Sequence, residues 1–283
     1  MAEPSPIIEV ALVDESNDYG LFITVWIEIR EPEQPRPRLA GFGRVRFGLG
    51  CTVSGGHTRE RYCAAVGTLY LGAERIWKSS DFVGTKLPTT LEGATVTFND
   101  IPAAIYYVRP TQLNVQVPDG LPNGGVTVKV TTSNGSVTAG VQHATVAPGL
   151  FISTQLKAND GTIYYYPAAV HTDGTLVGRD FIIAGSRPVV AGETILVFGT
   201  GYGPSIPPQP SGLLVNASPL GGLVTVSMAG NRALVQSATL VSPGLYQFNM
   251  IVPLGLNSGF DYAMQIGFLG GAQSQVGIYL PIQ

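Results

Sequence analysis

The chain has 283 residues, with 16 Lys and Arg against 19 Asp and Glu, a formal net charge of −3, and only 12% charged residues beside 36 Gly and 21 Pro. The length suits roughly two domains, each able to bury a core. An acidic balance argues against nucleic acid, which needs a concentrated positive patch. No run approaches the roughly 18 uninterrupted apolar residues of a membrane-spanning helix, so no membrane insertion is expected.

The first 17 residues contain acids and no basic leader region, so no signal peptide is legible. Ile7 to Val13 alternates loosely, and Tyr19 to Ile29 is rich in aromatic and β-branched residues; both predict strands. Arg30 to Arg38 holds three prolines and reads as a surface loop. Leu39 to Leu49 suits another strand, Ala64 to Leu71 is extended, and Asp81 to Thr90 is a loop.

From Ala94 the pattern sharpens. Ala94 to Phe98 alternates and stops at Asn99-Asp100; Ala103 to Val108 and Gln112 to Val117 follow as strands. Pro122-Asn-Gly-Gly and Ser133-Asn-Gly are turn signals on either side of an alternating run, Val126 to Thr132. Val137 to Val146 completes the set. Short strands at this spacing predict a sandwich and not βαβ units. Pro148 to Val190 reads as a bridge with strands of its own, including Gly161 to Tyr166 and a turn at His171 to Gly174.

The second half repeats the first. Val96-Thr-Phe-Asn-Asp-Ile-Pro-Ala-Ala corresponds to Val226-Ser-Met-Ala-Gly-Asn-Arg-Ala-Leu, 130 positions later. Gln112-Leu-Asn-Val-Gln-Val-Pro corresponds to Gln247-Phe-Asn-Met-Ile-Val-Pro at 135. Apolar Leu113, Val115 and Val117 are in phase with Phe248, Met250 and Val252. The second copy opens with Gly192-Glu-Thr-Ile-Leu-Val-Phe-Gly-Thr-Gly-Tyr-Gly-Pro, a turn, an apolar strand and a glycine loop. No lysine follows at Walker spacing, so Gly199, Gly201 and Gly203 read as a strand exit where backbones approach closely, not as a phosphate loop.

These residues resemble the immunoglobulin-like, plexin and transcription-factor (TIG/IPT) type of domain. More closely, they are similar to an uncharacterised repeat at the C-termini of large secreted acidobacterial proteins. The resemblance runs from about Arg75 to Gln283, through Arg75-Ile-Trp-Lys-Ser-Ser-Asp-Phe-Val-Gly, Tyr107-Val-Arg-Pro-Thr-Gln-Leu-Asn-Val-Gln-Val-Pro, Ala168-Ala-Val-His-Thr-Asp-Gly, the Gly192 to Pro204 stretch and Gly244-Leu-Tyr-Gln-Phe-Asn. It implies paired β-sandwiches in exported or cell-surface proteins, and no catalytic residues. Before Arg75 the chain departs from that pattern, because the opening strand and glycine loop expected of a first domain have at best a partial counterpart in Thr68 to Ala73. The expected fold is therefore all-β: tandem immunoglobulin-like β-sandwich domains with a divergent N-terminal β segment. Residues 1–67 are the divergent strands, completing domain 1 or a neighbouring subunit. Residues 68–147 form the first sandwich, 148–190 the bridge and 191–283 the second sandwich.

Chemistry is sparse. Cys51 and Cys63 are spaced to close one local disulfide, with two buried free thiols as the equal alternative; His57 between them makes only a three-ligand fragment. His57, His143 and His171 share no ligand motif, and His171 beside Asp173 reads as a satisfied turn. Asp160, Asp173 and the Asn159 carbonyl are a thin calcium set without a carboxylate ladder, so no cofactor is expected. No serine sits in a Gly-x-Ser-x-Gly elbow. Tyr164, Tyr165 and Tyr166 are consecutive, so at least one should face outward, and these three with Tyr202 are the candidate binding-surface aromatics, set against plain core packing.

From Ile182 to Gln283 the charged side chains are Arg187, Glu193, Arg232 and Asp261 alone, a surface suited to self-contact or a neutral ligand. The expected function is a non-enzymatic extracellular or cell-surface structural protein, self-assembling by β-strand addition. The alternatives are an adhesion module for carbohydrate or protein, and inert accessory domains of a larger secreted enzyme. Partners follow accordingly: self-association, another surface protein or a neutral glycan.

Overall fold

A computed structural model describes residues 7–12, 23–30, 63–66, 74–109 and 112–283. Apart from one short 3-10 turn at Ser79–Asp81, its regular elements are strands. The strand proposed over Leu39 to Leu49, together with Cys51 and His57, lies outside the described residues.

The first half contains β1 (Ile7–Leu12), β2 (Ile23–Arg30), β3 (Cys63–Val66), β4 (Arg75–Ile76), β5 (Thr90–Leu91), β6 (Ala94–Phe98), β7 (Ile101–Pro102), β8 (Ala104–Arg109), β9 (Gln112–Gln116), β10 (Gly124–Thr132) and β11 (Gly135–His143). They form two sheets: a six-stranded one in the order β3-β1-β2-β9-β8-β4, and a five-stranded one containing β11-β10-β6-β5 with β7 on β6. Alternation sends one face of each sheet inward. Ile105, Val108, Leu113 and Val115 come from the first sheet, and Val96, Phe98, Val126, Val128 and Val130 from the second; together they make one buried core. Two of the five-stranded sheet's tight turns have positive φ at both central residues. Glu92-Gly93 joins β5 to β6 and Asn99-Asp100 joins β6 to β7, with φ of 49°, 76°, 45° and 65°. Paired positive φ values are the primed turns that match the strands' own twist.

The second half contains β12 (Gly149–Leu150), β13 (Ile152–Lys157), β14 (Ile163–Pro167), β15 (Ala169–His171), β16 (Thr194–Thr200), β17 (Ser218–Pro219), β18 (Val224–Met228), β19 (Asn231–Ser242), β20 (Leu245–Ile251), β21 (Asp261–Phe268) and β22 (Ile278–Pro281). Their order is β12-β16-β20-β19-β18-β21-β22-β14-β13, with β15 on β16 and β17 on β19. The two end strands of that order are consecutive in the chain, separated by Phe151 alone. The sheet therefore curls nearly to a barrel around its own core, in which Val197, Phe248, Met250, Met264, Ile266 and Ile278 are buried. Residues 148–190, the bridge of the sequence reading, supply β12 to β15 to this region.

The internal repeat extends to hydrogen-bond register. β8 pairs with β9 through Ile105↔Val115 and Tyr107↔Asn114, with a bulge between. β19 pairs with β20 through Val235↔Met250 and Ser237↔Asn249, with a bulge at the same place. β6 meets β10 through Phe98↔Val128 and Val96↔Val130, and β18 meets β21 through Met228↔Met264 and Val226↔Ile266. The Asn99-Asp100 turn has its counterpart in Ala229-Gly230, with φ of 50° and 79°. A bulge needs a particular backbone in both strands, so its recurrence reflects the same local demand in each copy.

Candidate functional site

The opening-strand position of the first sandwich is filled from the N-terminal segment. In the second half, β16 lies against β20 through Ile195↔Met250, Leu196↔Asn249, Val197↔Phe248 and Phe198↔Gln247. In the first half, β2 lies against β9 through Ile23↔Val115, Thr24↔Asn114, Val25↔Leu113 and Trp26↔Gln112. Val115 is the repeat partner of Met250, so Ile23-Thr-Val-Trp stands where Ile195-Leu-Val-Phe stands, in the same register. β1 pairs with β2 on one side and β3 on the other. The three strands β1, β2 and β3 thus form a small sheet whose ladder joins the body at the β2–β9 seam.

The glycine loop after β16 shapes the junction between the halves. Ala147 N–H donates to the Gly201 carbonyl at 2.7 Å. A Cβ on Gly201, whose φ is +71°, would lie 2.0 Å from the Ala147 oxygen. One on Gly199 would meet the Gly149 oxygen at 2.6 Å, and one on Gly203 the Val146 Cγ2 at 2.9 Å. All three glycines therefore let one backbone lie on the 145–149 connection. Tyr202, between them, points inward, and its hydroxyl donates to the Ile266 carbonyl at 3.2 Å. A second set of contacts crosses the junction at 205–214. Leu87 N–H donates to Gly212 O at 2.9 Å, and Leu214 N–H to Thr85 O at 2.8 Å. Ser211 and Asp119 bond reciprocally: Ser211 N–H donates to Asp119 Oδ2 at 2.6 Å and Asp119 N–H to Ser211 Oγ at 2.8 Å.

The candidate binding aromatics divide. Tyr166 and Tyr202 are each 1% exposed, which corrects their assignment to a binding surface. Tyr202 packs on Phe248 with ring centroids 4.5 Å apart. Tyr166 donates to Asp261 Oδ2 at 3.0 Å, and Asp261 Oδ1 accepts from Arg179 Nη2 at 2.9 Å. Each buried hydroxyl has an acceptor, so both rings serve the core. Burial and the Asp261 charge push the Tyr166 hydroxyl up to about 12. Tyr164 and Tyr165 are half-buried; Tyr164 tilts against Tyr279 at 4.7 Å, and Tyr165 packs on the core cluster.

The histidine and carboxylate candidates are likewise used locally. His171 does not pair with Asp173. It is 1% exposed, with Nε2 3.0 Å from the Arg187 carbonyl and Nδ1 3.2 Å from Glu193 Oε1. Asp173 instead accepts from Thr175 N–H at 2.8 Å and Arg187 Nη2 at 3.2 Å, which hold its carboxyl down to about 2. Asp160 accepts from Thr162 N–H at 2.8 Å. His143 Nδ1 lies 2.9 Å from the Pro122 carbonyl. Among the described residues no group of three or more His, Cys, Asp or Glu could hold a metal ion. No described helix is long and apolar enough to cross a membrane. The sequence reading missed Glu193 as the neighbour of His171, and Arg179 with Asp261 as the anchor of Tyr166; the wide sequence separations of both pairs left no local signal.

Residues 81–145 match the family model of the IPT/TIG domain, a type that is generally non-catalytic. No curated protein matches the chain, and no solved structure does. The matched span holds β5 to β11, that is, the whole five-stranded sheet and the β8–β9 hairpin facing it. Residues 81–145 thus form a TIG/IPT-like immunoglobulin-fold domain within an all-β chain.

Proposed function

We propose that this is a non-enzymatic structural protein of the extracellular space or cell surface, built from tandem immunoglobulin-like sandwiches and assembling by β-strand addition. The observation that carries the reading is the β2–β9 seam. The first sandwich receives its opening strand from a separate three-stranded unit, in the register that the second copy fills from contiguous chain. A ladder of backbone bonds is indifferent to whether the strand belongs to the same molecule or to the next. One unit serving a neighbour's β9 while its own β9 receives another's gives a head-to-tail contact, which propagates as a fibre wherever its rotation does not close a ring. The sparse charge of the C-terminal hundred residues favours such packing, because neighbouring copies repel weakly. Export accords with the similarity to C-terminal repeats of secreted acidobacterial proteins.

The test compares the full chain with a chain lacking residues 1–30, by electron cryo-microscopy and analytical ultracentrifugation across protein concentration. Fibres from the full chain, with the seam formed between subunits and lost on truncation, support assembly. Monomers from the full chain at every concentration refute it and move glycan or protein adhesion to first place.

A further inference from the structure

A cavity of about 510 Å³ lies at the junction, entered between the end of the first sandwich and the glycine and proline loops of the second region. Its depth is set by the first sandwich's own core: Phe98, Val115, Val126 and Val128 line it. Its far wall includes Tyr246 and the stretches around Gly201 and Pro208. The volume falls within the range of sites that enclose a small organic molecule.

The repeat identifies which wall residues differ between the two copies. The registers that equate the two copies place Val115 where the second copy has Met250, and Val128 where it has Met264. Both methionines are buried at 1% or less. Valine in place of methionine gives the first copy a shorter side chain at each of these two positions on the cavity wall. Val115 and Val128 are themselves buried, so they floor the space, and a longer thioether at either position would project into it or displace its neighbours.

The lining also selects the occupant's charge. Asp119 stands at the exposed rim, its carboxylate accepting from Ser211 N–H at 2.6 Å; the His143 ring, also on the lining, lies 2.9 Å from the Pro122 carbonyl, and no Lys or Arg is among the described lining residues. An ion of either sign would give up water for a mainly apolar lining, at a cost; the exposed Asp119 carboxylate is screened by solvent and offsets little of it for a cation, and an anion finds no described Lys or Arg on the lining. Gln116 and Gln209 add uncharged amides at the wall. We propose that the cavity binds one neutral, mainly apolar small molecule, an aliphatic or aromatic body with a hydroxyl or amide-sized polar group. This site is independent of strand exchange.

The test uses the full chain and two neutral probes, N-phenyl-1-naphthylamine by fluorescence and 1-dodecanol as its competitor. Saturable binding of one probe per chain is expected. Val128→Met and Val115→Met, which copy the second region's filling, should each weaken it by about tenfold or more. Far-UV circular dichroism and the melting temperature establish that the variants are folded. Leu254→Ser, on a side chain 79% exposed, is the control for surface adsorption and should leave binding unchanged. Dodecanoate at neutral pH should compete at least about tenfold less well than dodecanol, because its carboxylate would lose water with no described Lys or Arg on the lining to receive it. If a methionine variant fails to fold, methyl NMR of the unmodified chain decides, by dodecanol-dependent shifts at Val115, Val126 and Val128. Several probes per chain, equal competition by dodecanoate, unchanged binding in folded methionine variants, or no binding at all would each overturn the assignment.

Discussion

Gly201→Ala tests whether the glycine loop is there for backbone approach. Two costs add at this position. Its φ of +71° is left-handed, where an alanine costs roughly 1–2 kcal/mol. The new Cβ would also stand 2.0 Å from the Ala147 oxygen and 2.8 Å from its carbon. Both atoms are main chain, so the 145–149 connection must move. That movement breaks the Ala147 N–H bond to the Gly201 carbonyl, worth about 1 kcal/mol, and loosens the buried contacts around Ala147, which is 7% exposed. The expected loss is about 3–5 kcal/mol. Gly230→Ala separates the two causes, because Gly230 has φ +79° and nothing within 4 Å of its would-be Cβ. It should lose only the conformational part, roughly 1–2 kcal/mol. The assay is urea unfolding followed by far-UV circular dichroism and by tryptophan fluorescence, so that the two halves can be fitted apart if they separate. Equal destabilisation of the two variants, within about 0.5 kcal/mol, would refute close approach as the reason for the glycine.

Other perturbations address the buried polar groups. Asp261→Ala leaves the Tyr166 hydroxyl without its acceptor and the half-buried Arg179 with the Gly259 carbonyl but no counter-charge, and should cost about 2–4 kcal/mol against about 1 for Tyr166→Phe in the same unfolding assay. Tyr166 and Tyr246 are both pushed up to about 12, chiefly by burial. An unfolded tyrosine ionises near its ordinary value of about 10, so the stability that these raised values contribute is complete below that pH. It is lost as pH rises from about 10 to 12, and Tyr166→Phe should flatten the alkaline fall of the melting temperature. The Asp173 carboxyl should titrate near pH 2 by NMR; its contribution to stability is present above its ordinary value and disappears as pH falls through about 2. Thr24→Pro removes a backbone donor from β2 within the β2–β9 seam and should weaken both that pairing and any assembly built on it, read by hydrogen exchange at Asn114 and by sedimentation.

Much of the strand content was legible because alternation is a local signal. Ala94 to Phe98 and Gln112 to Gln116 could be read from side-chain phase alone, and the repeat partner of the second from the shared Gln, Asn and Pro positions. The equivalence of β2 and β16 was not legible. Ile23-Thr-Val-Trp shares only Ile and Val with Ile195-Leu-Val-Phe, and no Gly-Thr-Gly follows it. What identifies the two is the partner strand, a non-local fact. The tyrosines show the same limit. Consecutive residues on a strand alternate, yet the sequence cannot say which phase faces the core; Tyr166 can do so because Asp261, far along the chain, accepts its hydrogen bond. Tyr202 follows a glycine with φ +71°, and that reversal aims the ring inward. The thiols at Cys51 and Cys63 remain a proposal of spacing, since Cys51 lies outside the described residues.

The single residue between β12 and β13 bears on how the second region comes apart. Flat sheets fray from whichever end strand is held least. Here the two end strands share Phe151, whose N–H bonds to Phe198 O at 3.1 Å and whose carbonyl accepts from Ala168 N–H at 2.7 Å. Peeling β13 away drags on β12, and loosening β12 drags on β13. Opening at either margin thus strains the other, so amides across the sheet should exchange with solvent through one common event instead of in a graded series from the rim inward.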